Sequence, residues 1–368
     1  MKDFNYWKKL HESEKLEEFS NDTIGLLWLK TKSIVRKELI AEFLKNNAIT
    51  LKETALAKQF IELFELLCKD PENSHKNLND YIKEENGKQV LKLDTSQLVS
   101  ELYKLKIFDW GGDYQNSLDK YLVSNYVKVH KSFDILISKF ETEINVAVQG
   151  YVLNSWYNHW SSILIEHIFK SHSTVLPTVG QIKSVDFFIN NIPFDLKVTY
   201  LPAEYIKDKR KEKGYPVELT FLKKKAEEAK IVFDKKAKPA DILYEIVEKM
   251  RDRNDKFCNG ILTILKNEKL EILNEAQANP KILSTWLYEN QGEMRFGSEN
   301  RLFLILVDTD DFNSSWKLKR NLDLLKPMII SYLDNFQTKK VEDLKVTFNF
   351  KGKPQTFTAL TDIIFVVK

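Results

Sequence analysis

The stretch VDFFINNIPFDLKVT, residues Val185–Thr199, holds two short apolar runs on either side of Asn190 and Asn191. Asparagine tolerates the positive φ that a tight hairpin turn requires, so this pair predicts two antiparallel strands joined by a two-residue turn. In that register Asp186, four positions before the turn, lies directly opposite Asp195, four positions after it.

Side chains alternate between the two faces of a strand, so the face that holds Asp186 is expected to carry further polar residues. They are Asp195, Lys197 and Thr199. The opposite face is expected to carry the apolar residues Val185, Phe187, Phe194, Leu196 and Val198.

Two carboxylates directly across a hairpin repel each other, so the pair Asp186 and Asp195 predicts a compensating cation. Lys197 is one candidate. A divalent ion such as Mg²⁺ is the stronger one, because paired carboxylates with a backbone carbonyl suit a hard, oxygen-liganded ion. The alternative is an ordinary Asp–Lys pair on an exposed face, and the neighbouring phenylalanines argue against full exposure.

Asp186, followed after eight residues by the triplet Asp195–Lys197, resembles the PD-(D/E)XK signature of restriction-endonuclease-like nucleases. The sequence departs from that signature at Val185, where the signature has proline. The resemblance covers roughly residues 150–310. It implies an αβββαβ core, and therefore an α/β (α+β) fold with a central mixed sheet.

The resemblance also implies roles for individual residues. Asp186 and Asp195 are the expected ligands of Mg²⁺, with Mn²⁺ as a substitute, and the carbonyl of Leu196 completes the ligand set. Lys197 is the expected catalytic lysine, which positions or activates the attacking water. Members of this superfamily often add a glutamate from the helix before the first strand, and Glu166 is the candidate.

The surroundings of Glu166 leave two interpretations open. On a helical wheel it falls beside His159, Ser162 and Lys170, in a stripe of polar residues on an otherwise apolar helix. Such a stripe borders either solvent or a site. The alternative to a catalytic role is an exposed pair of Glu166 with Lys170, one helical turn away.

A second triplet of the same type, Asp343–Lys345, repeats the sequence DLKVT. The residues before it, NFQTKKVE, are polar, so no apolar strand supplies a partner carboxylate. We therefore expect this copy to be structural.

The chain has 368 residues, of which 43% are hydrophobic and 12% aromatic, enough for a substantial core. Helical periodicity prevails early and strand-like runs follow Pro177, which predicts a mostly helical region, 1–135, and an α/β domain, 136–368. The resemblance implies that the second is the nuclease domain and that the first contributes to recognition or dimerisation. The stretch Asn21-Asp22-Thr23 and, further on, Thr50 are each expected to cap a helix. Polar residues 70–90 are expected to form a connector, and a long helix is expected over about 140–172.

A basic insertion is expected near 203–278. Residues 207–238 hold twelve Lys/Arg and six acids, a net charge of +6 in a chain of net charge +3. Such a patch is a possible footprint for a polyanion, and the candidate nucleic-acid contacts are Lys183, Thr199, Lys209, Arg210 and Lys211. The alternative, favoured by this feature alone, is a solvated surface of Glu–Lys pairs.

Several classes are excluded by the sequence. There is no apolar run of 18 residues, and no GxGxxG, Walker or GxSxG motif. Two cysteines without a CxxC pair fit a cytoplasmic protein. The expectation is a Mg²⁺-dependent endonuclease acting on double-stranded DNA, a type II restriction endonuclease that forms a homodimer. The alternatives are a repair, phage-defence or junction-resolving nuclease, or a non-catalytic nucleic-acid-binding protein with this fold.

Overall fold

The computed structural model describes residues 2–107, 118–292 and 296–368. The helices before the sheet are α1 (Phe4–Glu12), α2 (Thr23–Ile34), α3 (Lys37–Asn46), α4 (Leu56–Leu67), α5 (Pro71–Val90), α6 (Thr95–Leu102), α7 (Leu118–Leu122), α8 (Phe133–Lys139) and α9 (Asn145–Lys170). Three strands follow: β1 (Val175–Ile182), β2 (Val185–Ile189) and β3 (Ile192–Tyr200).

The second half begins with five helices, which are α10 (Ala203–Glu212), α11 (Glu218–Glu228), α12 (Pro239–Arg253), α13 (Lys256–Ala278) and α14 (Pro280–Glu289). It ends with β4 (Arg301–Val307), α15 (Leu322–Asn335), α16 (Val341–Leu344), β5 (Lys345–Asn349) and β6 (Thr356–Val367). None of the helices in the described ranges is long and apolar enough to cross a membrane.

The predicted hairpin is confirmed. Asn190 and Asn191 both have positive φ, 47° and 60°. On either side of them β2 and β3 pair antiparallel, with Ile189 opposite Ile192 and the pairing continuing outward in the predicted register.

The strands form one six-stranded mixed sheet in the order β1-β2-β3-β4-β6-β5. β1, β2 and β3 are antiparallel neighbours, β3, β4 and β6 are parallel, and β5 is antiparallel to β6. Parallel neighbours require a crossover connection. Helices α10–α14 lie in the chain between β3 and β4, and α15 lies between β4 and β6. The mixed α/β architecture expected from the sequence is thus confirmed.

Helices cover both faces of the sheet. One face packs against α9 and α15 through Leu196, Leu302, Leu304, Ile165, Phe169, Ile329 and Leu333. The other face packs against α10, α13 and α14 through Phe303, Ile305, Tyr205, Ile272 and Leu283. The parallel register places Asp195 opposite Arg301 and Lys197 opposite Phe303, so these polar residues of β3 lie on the second face.

The N-terminal helices share a hydrophobic core with the first two strands. Its buried members include Trp7, Trp28, Phe43, Leu63, Ile82, Leu176, Val185 and Phe188. Val185 was expected beside Phe187, but it packs in this core with Phe188. The pairing of β1 with β2 shifts register between Pro177 and Ile182, and such an irregularity interrupts the simple alternation of faces.

Two helix predictions in the N-terminal region are wrong. The supposed connector over 70–90 is helix α5: the Asp70 side chain caps it, Pro71 occupies its first turn, and Leu78 and Ile82 bury one side. Local caps and a sparse apolar stripe outweigh the overall polarity.

Thr50 is not a helix cap either. The Glu62 carboxylate accepts hydrogen bonds from the backbone of Lys52 and Glu53, at 2.9–3.0 Å, and α4 begins only after Ala55. Asp22, in contrast, caps α2 as expected, accepting from two backbone N–H groups at 2.8 and 3.1 Å.

Candidate active site

The carboxylate of Asp186 lies where the β2–β3 ladder ends. The last pair of the ladder is Phe187 with Phe194, and the next pair in that register is Asp186 with Asp195. Here the Oδ2 atom of Asp186 accepts a hydrogen bond from the backbone N–H of Leu196 at 2.8 Å. The side chain thus takes the place of a backbone acceptor.

Asp195 is 7% exposed and is held by residues of its own strand and of the β4 side. Its backbone N–H donates to the carbonyl of Asn300 at 2.9 Å. Its carboxylate oxygens lie 3.0 and 2.8 Å from Nζ of Lys197. Nε of Arg301 lies 3.8 Å from Oδ2. Two cations therefore contact this carboxylate from the same face of the sheet.

The environment of Asp186 disfavours its charged form. Burial raises the pKa of Asp186 to about 6, and the nearby carboxylate of Asp195 acts in the same direction. The hydrogen bond from Leu196 lowers this pKa, and the charges of Glu166 and Lys170 oppose each other. Asp186 is therefore a half-buried carboxylate whose charge its present neighbours only partly compensate.

Burial also raises the pKa of Asp195, against the opposing effect of Lys197 and then of Arg301. A buried carboxylate beside a half-buried one whose pKa it raises is a donor pair that a divalent cation would stabilise. In a strand the N–H and C=O of one residue point to the same side. The carbonyl of Leu196 therefore points toward the side of Asp186, as the expected ligand set of two carboxylates and one carbonyl requires.

Glu166 forms the pair with Lys170 that the alternative interpretation predicts, and its catalytic role stays a prediction. Its Oε2 accepts from Nζ of Lys170 at 2.8 Å, which is the i,i+4 pair. It is also close enough to Asp186 for its charge to raise the pKa of that carboxylate. α9 thus places a half-buried acid near the candidate site, already neutralised by a lysine.

One group of three carboxylates in the described ranges has ligand atoms within 4.8 Å of one another, and it lies elsewhere, at Glu42, Glu84 and Glu85. Nζ of Lys88 lies 3.1, 3.1 and 2.5 Å from these three side chains. The lysine supplies the positive charge there, so this cluster is no stronger a metal site than the aspartate pair.

The sequence did not point to Arg301 and Glu299, whose charges act on Asp195. Arg301 donates to Glu299 at 2.8 Å and to Gln291 at 2.7 Å, and its guanidinium lies 5.1 Å from the ring centre of Tyr288. Both charged residues are 7% exposed. The available signal was the pair of charges at the start of the apolar run RLFLILVD, which marks where β4 meets β3.

Glu299 also connects the β1–β2 turn to this region. Its Oε1 accepts from Ser184 at 3.1 Å. A Cβ added to Gly297 would lie 2.1 Å from Oε2 of Glu299, so only glycine leaves room for this buried carboxylate.

Two of the nucleic-acid candidates lie around the aspartate pair. Lys183 is in the β1–β2 turn, where its Nζ lies 2.6 Å from Glu14 and its side chain is 70% exposed. Thr199 is on β3, opposite Ile305, and follows Lys197 on the same face. Both stay candidates for contact with a substrate.

The three basic candidates of α10 differ in their surroundings. Lys211 is exposed, and Lys209 pairs with Glu212 at 2.6 Å. Arg210 is 3% exposed and bonds to Glu268 and to the carbonyl of Pro216. Because Arg210 lies inside the protein, it cannot serve as a surface contact for phosphate, and its expected role is corrected to a structural one.

Elsewhere in the basic stretch, several lysines belong to a surface of Glu–Lys pairs, which is the alternative interpretation given above. Its lysines pair with nearby acids in Lys207–Glu204, Lys213–Glu271, Lys225–Glu228 and Lys235–Glu227. Helices α11 and α12 and the start of α13 enclose a small core of their own, with Leu222, Ile246, Met250 and Cys258 among its members.

Replacing Asp343 by alanine is expected to change DNA cleavage less than about tenfold. Asp343 lies in α16, where its Oδ2 accepts from the backbone N–H of Lys340 at 3.2 Å, and β5 begins after it at the sheet edge. Loss of this cap is expected to cost about 1 kcal/mol of unfolding free energy. Cleavage rate and melting temperature check both expectations; loss of cleavage in a folded variant would transfer the active site to this triplet.

In comparisons with known proteins, no protein-family model, no curated protein and no solved structure matches the chain. The function of the protein is therefore inferred from the residues around Asp186 and Asp195.

Proposed function

We propose that the protein is a Mg²⁺-dependent endonuclease that hydrolyses DNA phosphodiester bonds. The observation that carries the proposal is the placement of Asp186 and Asp195 where the β2–β3 ladder ends. The pKa of each carboxyl group is raised, and Lys197 forms an ion pair with Asp195. The order α9-β1-β2-β3, followed by the helices α10–α14 and by β4, supports it, because it follows the αβββαβ order that the resemblance implies.

The side chains would have different roles in the reaction. Mg²⁺ held by Asp186, Asp195 and the Leu196 carbonyl supplies a Lewis acid that lowers the pKa of water and stabilises charge on the phosphate. Lys197 is half-exposed, with its ammonium fixed on both oxygens of Asp195. From there it orients the attacking water or offsets negative charge in the transition state. On the same face of the sheet, Arg301 adds a second positive charge, with its Nε 3.8 Å from Oδ2 of Asp195.

Double-stranded DNA is the proposed substrate, and a type II restriction endonuclease is the proposed class. We propose a homodimer, because two strands must be cut, with the N-terminal helices contributing to recognition or to the dimer. The two thiols, Cys68 and Cys258, are free, which fits a reducing compartment such as the cytoplasm. A repair, phage-defence or junction-resolving nuclease is the second candidate, since it would use the same site.

Incubation with mixed-sequence plasmid DNA, with and without Mg²⁺, is expected to give discrete fragments only when Mg²⁺ or Mn²⁺ is present. Random nicking would favour the second candidate. A folded protein that binds DNA and does not cut it would refute catalysis and leave a binding protein with this fold. A DNA methyltransferase gene next to the coding sequence would separate restriction from repair.

A further inference from the structure

A polar cavity of about 170 Å³ lies between the N-terminal helices and the hairpin. It is lined by Lys30 of α2, by Asn79 and Lys83 of α5, by the segment 173–176 and by the turn residues Asn190 and Asn191. Phe188 of β2 also lines it, but neither Asp186 nor Asp195 does. This cavity is therefore separate from the candidate active site.

Lys30 projects its ammonium into the protein interior with only a neutral partner. It is 2% exposed, and its Nζ lies 3.1 Å from Nδ1 of His75. Nε2 of the same histidine lies 2.8 Å from the carbonyl of Thr23. A carbonyl only accepts, so Nε2 carries the proton and Nδ1 accepts from Lys30. The imidazole is therefore uncharged, in keeping with its lowered pKa, which has burial as its main cause.

Nothing in the described ranges neutralises the charge of Lys30. No carboxylate there lies within ion-pair distance of it, and no carboxylate lines the cavity. Burial lowers the pKa of Lys30 to about 8. A buried cation without a counter-ion costs several kcal/mol. The cavity thus combines an uncompensated positive charge with empty space beside it.

Other groups in the lining add donors. Lys83, one helical turn after Asn79 on α5, has an exposed ammonium beside the cavity. The side-chain oxygen of Asn79 is buried and has no hydrogen-bond partner. The two orientations of an amide are nearly isosteric, and in the other one an N–H donor takes this position. The hydroxyl of Ser173 is a further possible donor, whereas that of Thr174 lies 2.8 Å from Nδ1 of His172, and Val175, Leu176 and Phe188 form the apolar part of the lining.

We propose that this cavity binds a phosphoryl group, held by the ammonium groups of Lys30 and Lys83. The volume is several times the roughly 30 Å³ that one water occupies in the liquid, enough for a tetrahedral oxyanion. The group belongs either to the backbone of a bound nucleic acid or to a free phosphate or nucleotide. The site does not depend on the nuclease activity proposed above.

Inorganic phosphate at millimolar concentration is expected to raise the melting temperature of the full-length protein by several degrees, through mass action on the folded state. Calorimetric titration should show a single site. In Lys30→Met the affinity for phosphate is expected to fall at least tenfold, and the rise in melting temperature is expected to shrink accordingly. Without phosphate, this variant should melt no lower than the wild type, because it loses an uncompensated buried charge.

Lys319→Met is the matched control. Lys319 is also buried, 5% exposed, and has an amide oxygen, that of Asn158, at 2.9 Å as its partner, but it lies outside the cavity. Its substitution is expected to leave the phosphate response unchanged. Lys83→Ala is a second variant, at an exposed position, and should weaken phosphate binding several-fold even if Lys30→Met does not fold.

Measurement of duplex DNA binding without divalent ions distinguishes the two sources of the phosphoryl group. If a backbone phosphate occupies the cavity, Lys30→Met and free phosphate each weaken DNA binding; if the ligand is free, DNA binding is unchanged while the phosphate response is lost. The proposal is overturned if phosphate gives no stabilisation, or gives the same stabilisation in wild type and in the Lys30 and Lys83 variants. Neither result bears on cleavage at Asp195.

Discussion

Asp195→Asn is expected to lower Mg²⁺-dependent DNA cleavage by about a thousandfold or more while leaving the protein folded. Asparagine has nearly the same shape, so the packing beside Arg301 survives. It removes the charge that the metal and Lys197 both require. Lys197→Ala should lower cleavage by at least about 100-fold, the typical loss for one donor that acts on developing charge. Cleavage rate and circular dichroism, measured on the same samples, check both variants.

Lys207→Ala is the matched control for the lysine, because Lys207 is likewise paired with an acid, Glu204 at 2.9 Å, but on α10. Its cleavage rate is expected to equal that of the wild type. The site assignment would be abandoned if folded Asp195→Asn cut DNA at a rate near that of the wild type. Equal losses in Lys207→Ala and Lys197→Ala would show that general charge, and not the position of Lys197, matters for cleavage.

Which parts of this arrangement were predictable depends on the range of the interactions. The hairpin was predictable from the sequence, because Asn190 and Asn191 encode the turn locally and thereby set the register of β2 and β3. The capped helix α5 is equally local, but Asp70 and Pro71 were hidden within a polar stretch. Composition there is a weaker guide than the cap and the few apolar positions behind it.

The partners of Asp195 on β4 were not predictable in the same way. Arg301 meets Asp195 only because β3 and β4 pair in parallel, across an insertion of about one hundred residues. No turn chemistry fixes that register. The bond from Leu196 to Asp186 depends, similarly, on where the β2–β3 ladder opens, which is a property of the whole sheet.

Asp186→Asn is expected to stabilise the metal-free protein near pH 7.5 by up to about 3 kcal/mol. The pKa of Asp186 is raised from 3.8 to about 6 in the folded state, so the folded protein binds this proton more tightly than the unfolded chain does. The stability linked to the group is therefore complete below about pH 4 and is lost as the pH rises through about 6. At pH 4 the variant and the wild type should have the same unfolding free energy, apart from the cap-like bond to Leu196.

Divalent ions should largely close this difference in stability between the variant and the wild type. At a hundred times its dissociation constant, Mg²⁺ would stabilise the wild type by about 2.7 kcal/mol, and Mn²⁺ should act similarly. In Asp186→Asn the stabilisation should largely vanish, because one of the two carboxylates is gone. Ca²⁺ should stabilise the wild type without supporting cleavage, since its looser coordination positions water poorly.

Melting curves at pH 7.5 and pH 4, with each ion and without, test both the carboxylate pair and its ion. If the melting temperature of the wild type is unchanged by millimolar Mg²⁺, Mn²⁺ and Ca²⁺, with and without DNA, then Asp186 and Asp195 do not share an ion. The contact of Asp195 with Lys197 would then be an ordinary ion pair on the sheet face. A metal response that persists in Asp186→Asn would instead move the ion to other ligands, with Glu166 the nearest remaining acid on α9.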